Sequence, residues 1–348
     1  LWLCSFIHHQ QDSEGKGADM NLDPRPIQSS IPVHNFKPEH EKVSRWSFMK
    51  VLREHSELKE YYPEINPFVE CYKVRPNTYA LFNPSIMAGC GDVWSYLIIG
   101  PERALLIDTA FGLGDLKKLC EFLAPGKEVV CFDTHRHVDH IGGNVCFDRV
   151  YINEYDAELL ERQMTPEYMA GFLLDADGKP SASDFDPADL MPFRPYEIVG
   201  VPLGYRFDLG KKADGGQYQV EVNLVSGHTA GESGIFDFET GCFFLGDATS
   251  ALREEGEPHP ELCTIRSLRD HINDIVERHG EEISGVFPGH GTFDLHPVTL
   301  NYIRDAADNI LAHPDWHDRK IDWFGRAMYT RNIYQFGSDL KYTLDTIG

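Results

Sequence analysis

A succession of short apolar runs, each broken off by a loop rich in Gly, Asp or His, sets the limits on what this chain can fold into. "ALLIDTA" (104–110), "EVVCFDT" (128–134), "YQVEVNLVSG" (218–227), "CFFLGD" (242–247) and "ISGVFPG" (283–289) read as buried strands. Upstream, "ECYKV", "TYALF" and "VWSYLIIG" are separated by "RPN" and "NPSIMAGCGD", which is hairpin chemistry. "RVYINE" (149–154) and "SGIFDF" (233–238) add two strands, the second joined to "CFFLGD" by the turn "ETG".

Helical patterns interleave with these runs. "RWSFMKVLREHSELKEYY" (45–62) predicts a helix stopped by Pro63, and "GDLKKLCEFLA" (114–124) one closed by Pro125 and Gly126. "YDAELLERQMTPEYMAGFLL" (155–174) reads as a helical insert, with a Pro/Asp/Ser-rich loop running on to about residue 195. Leu262, Ile265, Leu268, Ile272 and Ile275 keep the spacing of one core-facing helix face, which leaves His271 and His279 off the stripe and exposed. "PVTLNYIRDAADNILAH" (297–313) is a helix with Pro297 in its first turn, where a missing N–H costs nothing. A strand-rich part followed by strands alternating with helices fits one large α/β unit over 70–300. Around it, residues 1–19 are expected to be a disordered or extraneous extension, 20–69 an arm and helix, and 301–348 a C-terminal helix and tail packed on the domain.

With 32 basic against 55 acidic residues the formal charge is -23, which argues against nucleic acid and anionic membrane as partners. No run reaches the length of a membrane span. The eight cysteines show no CxxC pair, and several sit inside apolar runs, as expected of thiols in a reducing, cytoplasmic compartment.

The chemistry concentrates in "THRHVDHIGG" (134–143), where His135, His137, Asp139 and His140 follow directly on a strand. Three later strands end the same way: "VSGHTAG" in His228, "FFLGDAT" in Asp247 and "VFPGHGT" in His290. Five imidazoles and two carboxylates are ligands suited to Zn²⁺, Fe or Mn. One metal would use three or four of them and leave the others as costly unpaired groups; two metals use all seven.

Taken in order, "LIDTA", "THRHVDHIGG", "GHTAGE", "GDA" and "PGHG" resemble the motifs of the metallo-β-lactamase-fold superfamily over roughly residues 70–300. The resemblance implies an αββα sandwich, two mixed β-sheets face to face with outer helices and a site at one edge. It assigns His135, His137 and His228 to a first divalent ion and Asp139, His140 and His290 to a second, most simply zinc, with Asp247 bridging. Asp108 would brace the histidine loop; the glycine usual two residues later is Ala110 here. The implied activity is hydrolysis of a small-molecule ester, thioester, lactone or amide by a metal-bridging hydroxide, with Asp139 orienting the nucleophile or passing its proton to the leaving group. An iron-dependent oxidoreductase of the persulfide-dioxygenase kind is the alternative on the same fold.

Other residues stand open at this point. Arg136 is either a carboxylate partner or a solvated surface residue. Met87 and Trp94 are either contacts at the mouth or ordinary packing. The insert 155–174 is a lid or a covering helix. The aromatic, basic tail "WFGRAMYTRNIYQFG" (323–337) either packs over the site or makes a contact in a homo-oligomer.

Overall fold

The computed structural model describes residues 58–348 except 88, 184, 324 and 334–337, so the expected extension, the arm and most of the 45–62 helix lie outside the described residues. Eight strands form the first sheet in chain order: β1 (Lys59–Tyr61), β2 (Glu70–Arg75), β3 (Thr78–Asn83), β4 (Val93–Ile99), β5 (Arg103–Ile107), β6 (Glu128–Asp133), β7 (Arg149–Asn153) and β8 (Glu197–Val201). Pairing is antiparallel from β1 to β5 and parallel from β5 to β8, so the sheet is mixed.

The second sheet is built from β9 (Arg206–Lys211), β10 (Gln217–Leu224), β11 (Ser233–Asp237) and β12 (Cys242–Gly246). The two-residue strand β13 (Ser250–Ala251) comes next and belongs elsewhere; β14 (Gly285–Pro288) returns to pair with β12 in parallel, giving the order β14-β12-β11-β10-β9.

Period-two alternation places the core. In β5, Leu105 and Ile107 face the inter-sheet cluster, while Ala104 and Leu106 face outward against helix α1 (Leu116–Leu123). In β12, Cys242 and Phe244 face inward; Phe243 and Leu245 face the two outer helices that follow α2 (Val138–Ile141), α3 (Glu154–Gln163) and α4 (Pro166–Leu173) in the chain. These are α5 (Ile265–His279) and α6 (Val298–Ala312). Tyr96 of the first sheet meets Phe244 and Phe287 of the second with ring centroids 4.9 and 5.6 Å apart. The layers are helix, sheet, sheet, helix, as the resemblance implies.

Several local expectations need correction. Lys59–Tyr61, assigned above to a helix, is an edge strand, because Lys59 pairs with Tyr72 of β2 and its ammonium lies 2.7 Å from Glu70; tertiary pairing overrides a helical pattern. The insert is two helices, α3 and α4, divided where Thr165 caps the second and Pro166 opens it. Helix α5 starts at Ile265, capped by Thr264, and so excludes Leu262. His279 is buried rather than exposed, stacked on Phe236 at 4.3 Å in the last turn. The C-terminal tail is itself a sheet: β15 (Arg319–Trp323), β16 (Arg326–Ile333) and β17 (Ser338–Tyr342), joined to β13 in the order β13-β17-β16-β15. Among the described residues no helix is long and apolar enough to cross a membrane, and no disulfide joins the seven described cysteines.

Candidate metal centre

Asp108 follows β5, the histidine cluster follows β6, His228 follows β10, Asp247 follows β12 and His290 follows β14. Each polar side chain therefore leaves the C-terminal end of a strand, and the two sheets bring those ends to one edge of the sandwich. Asp139 and His140 are carried one residue apart on the single turn α2.

Asp108 holds this arrangement together. It adopts φ of 62°, and its carboxylate accepts from the Thr134 amide at 2.7 Å, the Thr134 hydroxyl at 2.9 Å and His140 Nδ1 at 2.8 Å. Ala110 takes the left-handed conformation that a glycine would normally supply, with φ of 53°, at a cost of roughly 1–2 kcal/mol. Its carbonyl accepts from Gly142 N at 2.6 Å, so the turn survives the change of residue type.

The other rings are oriented in the same manner, from behind. His290 Nδ1 donates to the Asp92 carbonyl at 2.8 Å, and His228 Nδ1 lies 2.6 Å from the Ser250 hydroxyl. His135 Nδ1 lies 3.1 Å from Thr134 Oγ1 and 3.2 Å from Glu232, whose other oxygen accepts from Asp247 N at 2.7 Å. His137 Nε2 pairs with Glu254 at 2.9 Å, which turns its Nδ1 toward His228 Nε2 at 2.8 Å. Fixing one ring nitrogen in this way selects which lone pair faces the centre.

What faces the centre has too few partners. His135 Nε2, His140 Nε2 and Asp247 Oδ1 are buried and without a hydrogen bond, although an unmet buried polar atom is costly. His140 Nε2 lies 3.6 Å from both Asp139 and Asp247, and His290 Nε2 lies 3.3 and 3.1 Å from the same two carboxylates. His228 Nε2 is 3.9 Å from Asp247. Donor atoms fall into close groups: His135 with His137 and His228, and His135 with His140 and Asp247, each within 4.8 Å.

Electrostatics divides the cluster in two. Burial, followed by neighbouring histidines, pushes the His135 pKa well below its ordinary value and that of His228 down to about 3, so both rings are neutral with lone pairs available. Burial opposes charge on His140 as well, but Asp139, Asp108 and Asp247 outweigh it and raise the ring to about 9. His290 is raised well above its ordinary value by Asp247 and Asp139 against the same burial. The second group of side chains therefore attracts positive charge.

Close approach is built into the backbone here. A Cβ on Gly289 would lie 2.5 Å from Asp247 Oδ1 and 3.0 Å from His140 Cε1, which explains the glycine in "PGHG".

All seven candidate donors thus come together, and three supporting carboxylates that the sequence reading did not single out come with them. Glu254 is one. Glu232 is another. Asp156 of α3 is the third, accepting from Arg136 N, Thr229 Oγ1 and Gly231 N at 3.2, 2.7 and 2.8 Å and so stapling the two histidine loops together. Arg136 is a buried carboxylate partner, 2.8 Å from Glu254 and 3.4 Å from Glu257. Trp94 is core packing, fully buried with Nε1 donating to Gly291 O, whereas Met87 lines the mouth. Cys90 is also new: its sulfur lies 2.9 Å from Asp139 Oδ2.

A cavity of about 610 Å³ opens onto this centre. Met87 and Cys90 line one side, Tyr168 and Phe172 of α4 a second, and Trp323, Met328 and Lys341 of the C-terminal sheet a third. The tail therefore packs over the site.

Known proteins resemble this chain over roughly two thirds of its length. The model of the metallo-beta-lactamase superfamily matches residues 88–312. The human protein named acyl-coenzyme A thioesterase MBLAC2 is 25% identical over 234 residues, covering 62% of this chain and 79% of its own, and the Bos taurus protein of the same name matches equally. Among solved structures, a metallo-beta-lactamase from Pontibacter korlensis has a TM-score of 0.49 at 18% identity, covering 69% of this chain and 99% of its own. The DIM-1 metallo-beta-lactamase exposed to ceftazidime has a TM-score of 0.46 at 18% identity, covering 69% and 97%. With nearly two thirds of its length matched by the family model, and with that family's motifs gathered at one sheet edge, the chain belongs to the metallo-beta-lactamase superfamily.

Proposed function

We propose that this chain is a metal-dependent hydrolase that cleaves the acyl bond of a small molecule, with acyl thioesters first among the substrates. The observation that carries the reading is the trio of buried, unpartnered atoms His135 Nε2, His140 Nε2 and Asp247 Oδ1, gathered among four further donors. These residues fit two divalent ions: His135, His137 and His228 would hold one, Asp139, His140 and His290 the other, and Asp247 would serve both. When bound, such ions supply Lewis acidity and a source of hydroxide near neutral pH.

The protein's own groups do the rest. Asp139, which lines the cavity and lies 3.3 Å from His290, would orient the attacking water and carry its proton to the leaving group. Asp108, Glu232, Ser250 and the Asp92 carbonyl hold the imidazoles in orientation ahead of the reaction. Met87, Phe172 and Trp323 supply an apolar wall suited to an acyl chain. Lys341, the one Lys or Arg among the described residues lining the cavity, supplies a cation for an anionic leaving group. The thioesterase name of the mammalian relatives supports putting thioesters first.

The test is metal analysis of the purified chain together with a panel of thioester, ester, lactone and β-lactam substrates. About two zinc ions per chain and chelator-sensitive thioester hydrolysis are expected. A single iron with oxygen consumption and no hydrolysis would replace this reading with the oxidoreductase one.

A further inference from the structure

The seven donors do not exhaust what surrounds the second position. Cys90 lies on the loop between β3 and β4, and its sulfur stands 2.9 Å from Asp139 Oδ2. Cys90, Asp139 and His290 form a third group of donor atoms, all within 4.8 Å of one another. A separate observation points to the same place. His140 Nε2 is fully buried, has no hydrogen-bond partner, and faces Asp139 Oδ2 at 3.6 Å. Cys90, Asp139 and His290 thus converge beside the unsatisfied His140 Nε2, which faces the same Asp139 oxygen.

The loop that carries the cysteine is held to the site. Ser85 N donates to the Asp92 carboxylate at 2.8 Å, and Ser85 Oγ donates to the carbonyls of Met87 and Cys90 at 3.2 Å each. Asp92 O accepts from His290 Nδ1, and a Cβ on the intervening Gly91 would lie 3.2 Å from that same nitrogen. Cys90 is therefore kept beside His290 by backbone contacts. Cys71, Cys120, Cys131, Cys242 and Cys263 are instead buried, and none of them joins a group of candidate ligands among the described residues.

We propose that Cys90, as its thiolate, is a further ligand of the second ion, beside Asp139, His140 and His290. The inference rests on the metal-dependent reading above. On ligation the S–H bond is lost and its proton passes to solvent, with no change of oxidation state. A thiolate is a soft donor, so the second position favours zinc over manganese or magnesium, where an all-imidazole and carboxylate set discriminates less. It also brings one negative charge, which tempers the pull of the site on anionic substrates.

The experiment uses the full chain loaded with cobalt(II), read by absorption spectroscopy and by metal content. Wild type is expected to hold two cobalt ions and to show a near-ultraviolet thiolate-to-cobalt charge-transfer band. Cys90→Ser loses that band and keeps its visible ligand-field bands, while Cys263→Ser keeps both. X-ray absorption at the zinc edge of the wild-type chain needs no variant and should show a sulfur scatterer at about 2.3 Å. Two bound cobalt ions without the band, or a band that persists in Cys90→Ser, overturns the role of Cys90 and leaves the metal-dependent reading standing. A chain that takes up no cobalt overturns both.

Discussion

The carboxylate of Asp108 lies 2.8 Å from Nδ1 of His140, opposite the nitrogen that faces Asp139 and Asp247. This contact fixes the ring's tautomer and raises its basicity as a ligand. Asp108→Asn preserves shape but removes the charge, and is expected to weaken zinc binding by about 10- to 100-fold. Competition with a chromophoric chelator measures it. Unchanged affinity would mean that Asp108 braces the loop through Thr134 alone.

Asp247 stands between the two groups of donors, 3.1 Å from His290, 3.6 Å from His140 and 3.9 Å from His228. Asp247→Ala is expected to empty both positions, and Gly289→Ala to do part of the same damage by forcing the Asp247 carboxylate aside. Metal content after gel filtration distinguishes these cases. If Asp247→Ala still carries two ions, the aspartate does not serve both.

Acid should reveal a second electrostatic feature, on the outer face of β10. Burial raises the Glu221 pKa, but hydrogen bonds and charge from Arg206 at 2.7 Å and Arg278 at 2.9 Å outweigh it and hold it below the ordinary 4.5. A carboxylate with a depressed folded pKa stabilises the fold above its unfolded value and loses that contribution as pH falls through the folded one. Wild type should therefore exceed Glu221→Gln in stability at about pH 6, with the gap closing below about pH 4.5. Denaturant midpoints for both chains across that range are the measurement; a gap independent of pH would remove Glu221 as its source.

Recognition at the mouth should separate from metal binding. Phe172 is 42% exposed and Trp323 38% exposed, large apolar surface left at the cavity rim. Replacing either with alanine is expected to raise KM for a long-chain acyl thioester by roughly tenfold, the scale of a few buried methylenes, with little effect on an acetyl thioester. Lys341→Ala should raise KM for substrates with an anionic leaving group and leave neutral esters unchanged. Steady-state kinetics at constant metal content checks both; equal effects on all substrates would place these residues outside recognition.

That the seven candidate donors would gather in one place was legible in the sequence because each motif follows an apolar run read as a strand, so position in the motif implies position in space. Most strands of the two sheets and α5 were legible for the same reason, their periodicities being strong, whereas the edge strands β1, β8 and β9 were not. Cys90, Glu254 and Asp156 were not. Each reaches the site from a loop or helix whose approach depends on tertiary packing, and nothing in "AGCGD" or "LREEGE" distinguishes a site residue from a solvated one. The strands β15 to β17 escaped because their alternation is half polar and their pairing partner, β13, is two residues long. His279 misled because a helix's last turn can meet a sheet that its own stripe does not reveal.

The strands β15 to β17 lie beyond residue 312, where the family match ends, yet they form one wall of the cavity. One wall of the cavity thus comes from outside the matched stretch, while Tyr168 and Phe172 come from within it. Substitutions at Trp323 or Lys341 are therefore expected to alter the cavity while the seven candidate donors stay in place. The freedom ends at one seam. Ser250 pairs in register with Lys341 and also holds His228, so a change that shifts the backbone of β17 reaches the metal centre directly.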